Sequence, residues 1–142
     1  MAVPVELRNG AARISSAFSG GILGGLAAAG VAYWLCGLLL ERHTGLDAAI
    51  WPGWDWAREL AEQGAMAGAL LLPPWLKRSA TLKGLTLSLL PTSLMLVGLL
   101  PHTFDAPAPL PDNLTLEAAL VGAGNAAWAL IACWWMKLCG QT

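Results

Sequence analysis

Residues 51–74 read WPGWDWARELAEQGAMAGALLLPP, and this stretch combines a membrane-like pattern with acidic side chains. Three tryptophans open it, carboxylates occupy its middle, and an apolar run leads to a double proline. At 1.5 Å per residue, a helix over residues 51–76 would be about 37 Å long, enough to cross a hydrocarbon core of about 30 Å. Glu62 would then lie near mid-depth, where an ionisable group indicates a functional or assembly site.

The composition of the whole chain favours lipid as its surroundings. Of the 142 residues, 56% are hydrophobic and only 12% are charged, whereas soluble domains carry about 25% charged residues. The chain has eight tryptophans, and most lie near the ends of apolar runs, as in the interfacial belts of membrane proteins. The net charge of −1 gives no reason to expect a nucleic-acid partner. We therefore predict one all-α integral membrane domain over residues 1–142.

Four apolar segments predict four transmembrane helices, over about residues 17–40, 55–72, 84–100 and 114–138. The first segment also fits a signal peptide, but its uncharged run is longer than the 7–15 residues of a typical signal core. Pro91 interrupts the third segment, which is close to the minimum length for a span. Residues 1–16 are expected to be a cytoplasmic lead-in, and residues 75–83 a short basic loop.

The distribution of charge predicts the orientation of these helices. Six of the eight basic residues fall on one side of the predicted membrane, namely Arg8, Arg13, Lys77, Arg78, Lys83 and Lys137. Only Arg42 and Arg58 fall on the other side. Since cytoplasmic loops carry an excess of lysine and arginine, we expect both termini in the cytoplasm. The expected location is a bacterial inner membrane.

Small residues spaced four apart indicate where helices approach each other closely. The predicted packing positions are Gly20, Gly21, Gly24, Gly25, Gly64 and Gly68. The alternative is that glycine is simply frequent in membrane helices.

Counting along the predicted helices brings several polar side chains to a similar depth. The predicted intramembrane polar cluster consists of Glu62, Gln63, Thr92, Ser93 and Asn125. Such a cluster can hold a carboxylate that takes up and releases a proton, because low dielectric raises the pKa of a carboxyl group. It can equally join helices or subunits through hydrogen bonds, the interpretation we favour. A third possibility is that the second helix tilts or starts late and leaves Glu59 and Glu62 at the outer headgroups, where they need no partner.

The remaining chemistry-bearing residues form no recognisable motif. Cys36, Cys133 and Cys139 lack metal-ligand spacing and are expected to be buried hydrophobes. His43 and His102 follow the first and third predicted helices, and a metal or haem site drawn from them is a weak candidate beside solvated loop histidines. No GxSxG, HExxH or phosphate-binding glycine loop occurs. The sequence predicts no catalytic residue and does not identify a cofactor.

The segments KGLTLSLLPTSLMLVGLLPH and NAAWALIACWWMKL resemble small bacterial inner-membrane proteins of the YagU type. The resemblance covers about the last sixty residues and implies a small membrane protein without an assigned chemistry. Small size, glycine faces and short loops favour a non-catalytic accessory subunit that contacts lipid and other membrane subunits. The alternative is a small homo-oligomeric transporter or channel that uses Glu62 as an intramembrane carboxylate.

Overall fold

The computed structural model describes residues 5–43, 54–73, 79–96 and 114–141. These residues form four α-helices and one short 3₁₀ helix, with no strand among them. The elements are α1 Val5–His43, α2 Trp54–Ala67, the 3₁₀ helix Gly68–Leu71, α3 Ala80–Leu96 and α4 Leu114–Leu138. The predicted all-α class is confirmed.

The helices pack in the spatial order α2, α1, α4, α3. α1 packs against both α2 and α4, and α3 packs on α4. Close approaches show that each pair of neighbouring helices is antiparallel. Gly21 and Gly25 of α1 lie next to Gly64 and Leu60 of α2, in that order. Gly20 and Gly24 lie next to Ala132 and Trp128 of α4, and Gly84 and Gly122 lie at the contact between α3 and α4. The N-terminal end of α1 and the C-terminal end of α4 therefore lie at the same end of the bundle.

The helix bounds differ from the predicted spans in three places. α1 is 39 residues long and begins at Val5, so the expected lead-in is part of this helix. α2 changes to a 3₁₀ helix at Gly68, before the double proline, whose residues lack the N–H groups that a continuing helix would use. α3 begins at Ala80, four residues earlier than predicted, because the Ser79 hydroxyl accepts a hydrogen bond from the Leu82 N–H at 3.1 Å and caps the helix. Residues 97–100 lie outside the described ranges.

α4 has the predicted bounds, and its end is closed by a glycine. Gly140 has a φ of 68°, a conformation that favours glycine. Its N–H donates to Lys137 O at 3.0 Å, and the Gln141 N–H donates to Met136 O at 2.9 Å. This pair of bonds is the Schellman arrangement that satisfies the last carbonyls of a helix.

Two of the described helices are long and apolar enough to cross a membrane, over Arg8–Leu35 and Ala119–Leu138. With 14 and 17 residues, α2 and α3 are shorter than the roughly 20 residues of a typical span. Buried core helices of soluble proteins and N-terminal signal sequences share the length and composition of α1 and α4. The helix lengths thus support membrane association of the chain and leave four spans as a proposal.

The inside of the bundle is built largely from small residues, and many large apolar residues lie on the outside. Half of the buried hydrophobic residues are alanines: Ala17, Ala28, Ala29, Ala32, Ala80, Ala129 and Ala132. The exposed large hydrophobics include Ile22, Leu26, Trp34, Leu85, Leu89 and Ile131. This distribution suits close helix packing in a solvent that does not penalise apolar surface.

Candidate functional site

The contacts between α1 and α2 fix the height of each α2 residue in the bundle. Paired backbone approaches occur every four residues, between Ala17 and Gly68, Gly21 and Gly64, and Gly25 and Leu60. Because the register is constant over these three pairs, Glu62 lies level with Leu23 of α1.

The two ends of this packed region carry different side chains. At one end the Arg13 guanidinium donates from Nη2 to Leu72 O at 2.7 Å, and at the other end Tyr33, Trp34 and Trp54 are exposed. From Arg13 to Trp34 the helix rises about 31 Å at 1.5 Å per residue. By the same count, Leu23 lies about 15 Å from Arg13. Glu62 is therefore at mid-height between a basic end and an aromatic end.

α2 has two unlike sides. Gly64, Gly68 of the following 3₁₀ helix and Leu71 are buried, whereas Asp55, Arg58, Glu59, Glu62 and Gln63 are exposed. We call these five exposed residues the polar face of α2. Their spacing of three and four residues places them along one side of the helix.

An ion pair lies within this polar face. Arg58 Nε and Glu62 Oε1 are 3.6 Å apart, one helical turn from each other, and their side chains are 63% and 68% exposed. Among the described residues, this is the one ion pair in the bundle. In water such an exposed pair would contribute little to stability. It is unusual because it lies at mid-height in a bundle whose other helices expose mostly large apolar residues.

The structure joins two of the five residues of the predicted polar cluster. The Asn125 amide donates from Nδ2 to the Thr92 hydroxyl at 3.0 Å, and this bond connects α3 and α4. Ser93 is exposed, and so are Glu62 and Gln63. The expectation of one shared cluster is corrected because α2 packs on α1 while α3 packs on α4, and because the glycine side of α2 turns Glu62 away from the bundle.

The six predicted packing glycines lie at helix contacts. Gly20 and Gly24 face α4, Gly21 and Gly25 face α2, and Gly64 and Gly68 face α1. A methyl group at Gly21 would overlap the carbonyl of Gly64, and one at Gly24 would lie 2.5 Å from Trp128 O. α1 therefore uses adjacent glycine pairs for two different neighbours. Gly84, which the sequence reasoning missed, lies similarly close to α4, and a methyl group there would be 3.0 Å from the Ala129 carbonyl oxygen.

A second arrangement missed from the sequence is a cationic cap on the end of the 3₁₀ helix. Lys83 donates from Nζ to Leu71 O at 2.8 Å and to Pro73 O at 3.1 Å, while Arg13 binds the carbonyl between them. Lys83 is only 8% exposed, so its predicted place in a basic loop is wrong. The last carbonyls of a helix lack partners within the helix and are stabilised by positive charge. The sequence signal for this cap is the double proline after the apolar run, which indicates that the hydrogen-bond donors to the last carbonyls of the helix must come from another part of the chain.

The described residues provide no evident metal centre. No three histidine, cysteine, aspartate or glutamate side chains come together among them. Cys133 is buried and Cys139 is exposed. His43 is the last residue of α1, and His102 lies outside the described ranges.

The chain matches no protein-family model, and no curated protein or solved structure matches it. The polar face of α2 is thus the candidate functional surface on geometry alone.

Proposed function

We propose that this chain is a four-helix integral membrane protein that acts as a non-catalytic subunit of a larger membrane complex. The polar face of α2 is its contact surface for another membrane subunit. Both termini are cytoplasmic, and the resemblance to YagU-type proteins favours a bacterial inner membrane.

The distribution of side chains supports a bilayer around the bundle. The height of about 31 Å between Arg13 and Trp34 matches a hydrocarbon core of about 30 Å. Arg8, Arg13 and Lys137 belong to one end, as the excess of basic residues in the cytoplasm requires. Exposed tryptophans occur at both ends, Trp34 and Trp54 at one and Trp134 at the other, where amphipathic rings favour the interface. Because α2 and α3 pack along the two candidate spans, they cross the same layer.

The observation that carries the subunit assignment is the exposed pair Arg58–Glu62 at mid-height. Charged side chains within membrane segments almost always face the interior of a bundle, an aqueous cavity or another protein. Here the pair faces away from its own bundle. Contact with a second protein would shield the pair from lipid and satisfy its remaining hydrogen-bonding groups, which lipid cannot do.

The same observation favours a second candidate function. In a homo-oligomer, Glu62 would lie at an interface between copies, and a mid-membrane carboxylate there could couple proton movement to transport. Under this alternative the protein is a small transporter or channel, and Glu62→Gln abolishes flux without changing assembly.

Native gel electrophoresis and mass spectrometry after mild detergent extraction test the assignment. We expect the wild-type chain to co-purify with other membrane subunits in a fixed ratio. The double variant Arg58→Leu/Glu62→Leu, whose face is compatible with lipid, should insert but lose those subunits. Leu89→Ala, an exposed position on α3, is the matched control and should keep them. A free monomer as the sole wild-type species would exclude the subunit assignment, and a homo-oligomer alone would favour transport.

A further inference from the structure

Resting on the proposed function, we propose that the polar face of α2 binds a transmembrane helix of a different protein, and that this helix carries a lysine or arginine at the depth of Glu59. The partner is thus defined by one basic side chain inside the membrane, and a second copy of this chain does not supply it.

The charges on the polar face of α2 do not balance. Asp55, Glu59 and Glu62 are three carboxylates, and Arg58 is the one basic residue among them. Arg58 is within ion-pair distance of Glu62, which leaves Glu59 and Asp55 without an ion pair in the part of the chain that the structure describes. An uncompensated carboxylate in a low-dielectric layer requires a nearby positive charge or a proton.

Asp55 and Glu59 lie at different depths, so they differ in how strongly each requires a positive charge nearby. Asp55 lies two turns from Glu62 toward the aromatic end, about 10 Å above mid-height, where it approaches the headgroup region. Glu59 is only about 5 Å above mid-height and remains within the hydrocarbon layer. The basic side chain of the partner is therefore expected opposite Glu59.

A second copy cannot balance the charge of this face, because it brings its own Arg58 together with another Glu59 and another Glu62. Copies inserted in the same orientation place equivalent residues at the same depth. A two-fold contact between two α2 helices would therefore place two Arg58 side chains among four carboxylates, Glu59 and Glu62 of each copy, and the carboxylates left without a partner would repel strongly when water is absent.

In the part of the chain that the structure describes, the other exterior surfaces also lack a suitable basic group at this height. Among the described residues, the exposed side chains near this level on α1, α3 and α4 include Leu23, Leu26, Leu85, Leu89 and Ile131. Lys83 is buried and bound to backbone carbonyls. The other basic residues of these helices lie toward the helix ends, namely Arg8, Arg13, Arg42 and Lys137. A heterologous contact between copies would thus leave Glu59 against apolar side chains.

Photo-crosslinking from the polar side of α2 tests the identity of the partner. A benzophenone amino acid replaces Met66, which is exposed one turn beyond Glu62, and in a control chain it replaces the exposed Leu89 of α3. After irradiation in the native membrane, mass spectrometry maps the crosslinked peptide. We expect the Met66 position to mark a transmembrane helix of another protein with a lysine or arginine within about two turns of the crosslink.

A charge exchange then tests the pairing itself. Glu59→Lys should lower the recovered partner by at least about tenfold, equivalent to about 1.4 kcal/mol. Replacing the basic residue of the partner by glutamate should restore recovery with Glu59→Lys, which a merely misfolded chain would not allow. Glu6→Lys, an exposed acid near the start of α1, controls for a change of net charge.

Three results would overturn this inference while leaving the proposed function intact. They are a crosslink to a second copy within a hetero-complex, a crosslinked helix without a basic residue, and failure of the exchanged charges to restore recovery. Absence of any co-purifying subunit would instead remove the proposed function together with the inference.

Discussion

At the scale of single residues, glycines allow α1 and α2 to pack backbone against backbone. A Cβ at Gly64 would overlap the carbonyl of Gly21, so Gly64→Ala must separate the helices. We expect a loss of about 1–3 kcal/mol in the free energy of unfolding, typical of overpacking. Gly30→Ala is the matched control, because nothing lies within 4 Å of that position and alanine favours a helix by up to about 1 kcal/mol. Denaturant titration in detergent micelles measures both variants, and equal stability would contradict the packing described.

The cationic cap leads to a second prediction at this scale. Lys83→Met keeps the length of the side chain but leaves the carbonyls of Leu71 and Pro73 without their donor. We expect unfolding to become easier by about 1–3 kcal/mol, the usual cost of an unsatisfied buried polar group. Lys137→Met removes an exposed lysine that lies 4.7 Å from the Trp134 ring, and it should cost less than about 1 kcal/mol. Equal losses in thermal unfolding would show that the cap does not stabilise the bundle.

At the scale of elements, the Asn125 amide of α4 donates to two side chains of α3, the Thr92 hydroxyl at 3.0 Å and the Met95 sulfur at 3.7 Å. Thr92→Val preserves the shape of the side chain and removes the acceptor of Asn125 Nδ2. The expected loss is about 0.5–1.5 kcal/mol, as for hydrogen bonds between membrane helices. Ser93→Ala, at the exposed neighbouring position, should leave the unfolding midpoint unchanged. If both variants unfold alike, the Thr92–Asn125 bond contributes nothing to the pairing of these helices.

The same scale shows what was predictable from the sequence. The bounds of α4, the all-α class and the positions of small residues follow from local composition. Glu62 and Asn125 were expected to meet because counting along helices gives depth but not direction. The direction in which Glu62 points depends on which helix Gly64 packs against. The order of the helices could not be predicted, because the second and third helices have no sharply defined apolar face in the sequence. The role of Lys83 does not follow from the local sequence, because its hydrogen-bond partners lie 10 and 12 residues earlier in the chain.

At the scale of the whole molecule, the account depends on the surroundings of one side of α2. The bundle keeps alanine and glycine inside and exposes large apolar residues, yet it also presents an ion pair at mid-height. In the proposed complex, lipid around the bundle would account for the apolar exterior, and a protein neighbour would account for the ion pair. Neither feature alone favours an accessory subunit, but together they support the proposal that α2 carries the contact surface.

Accessibility of a spin label at position 62 tests this central claim most directly. The label is attached to Glu62→Cys and, as a lipid-facing reference, to Leu89→Cys, with the three native cysteines replaced by alanine. In the complex reconstituted into vesicles, we predict that the label at 62 is shielded from both dissolved oxygen and a water-soluble relaxation agent, while the label at 89 is reached by oxygen. Exposure of the label at 62 to the water-soluble agent would place α2 outside the hydrocarbon layer, and oxygen access equal to that at 89 would show that lipid, not protein, covers this face.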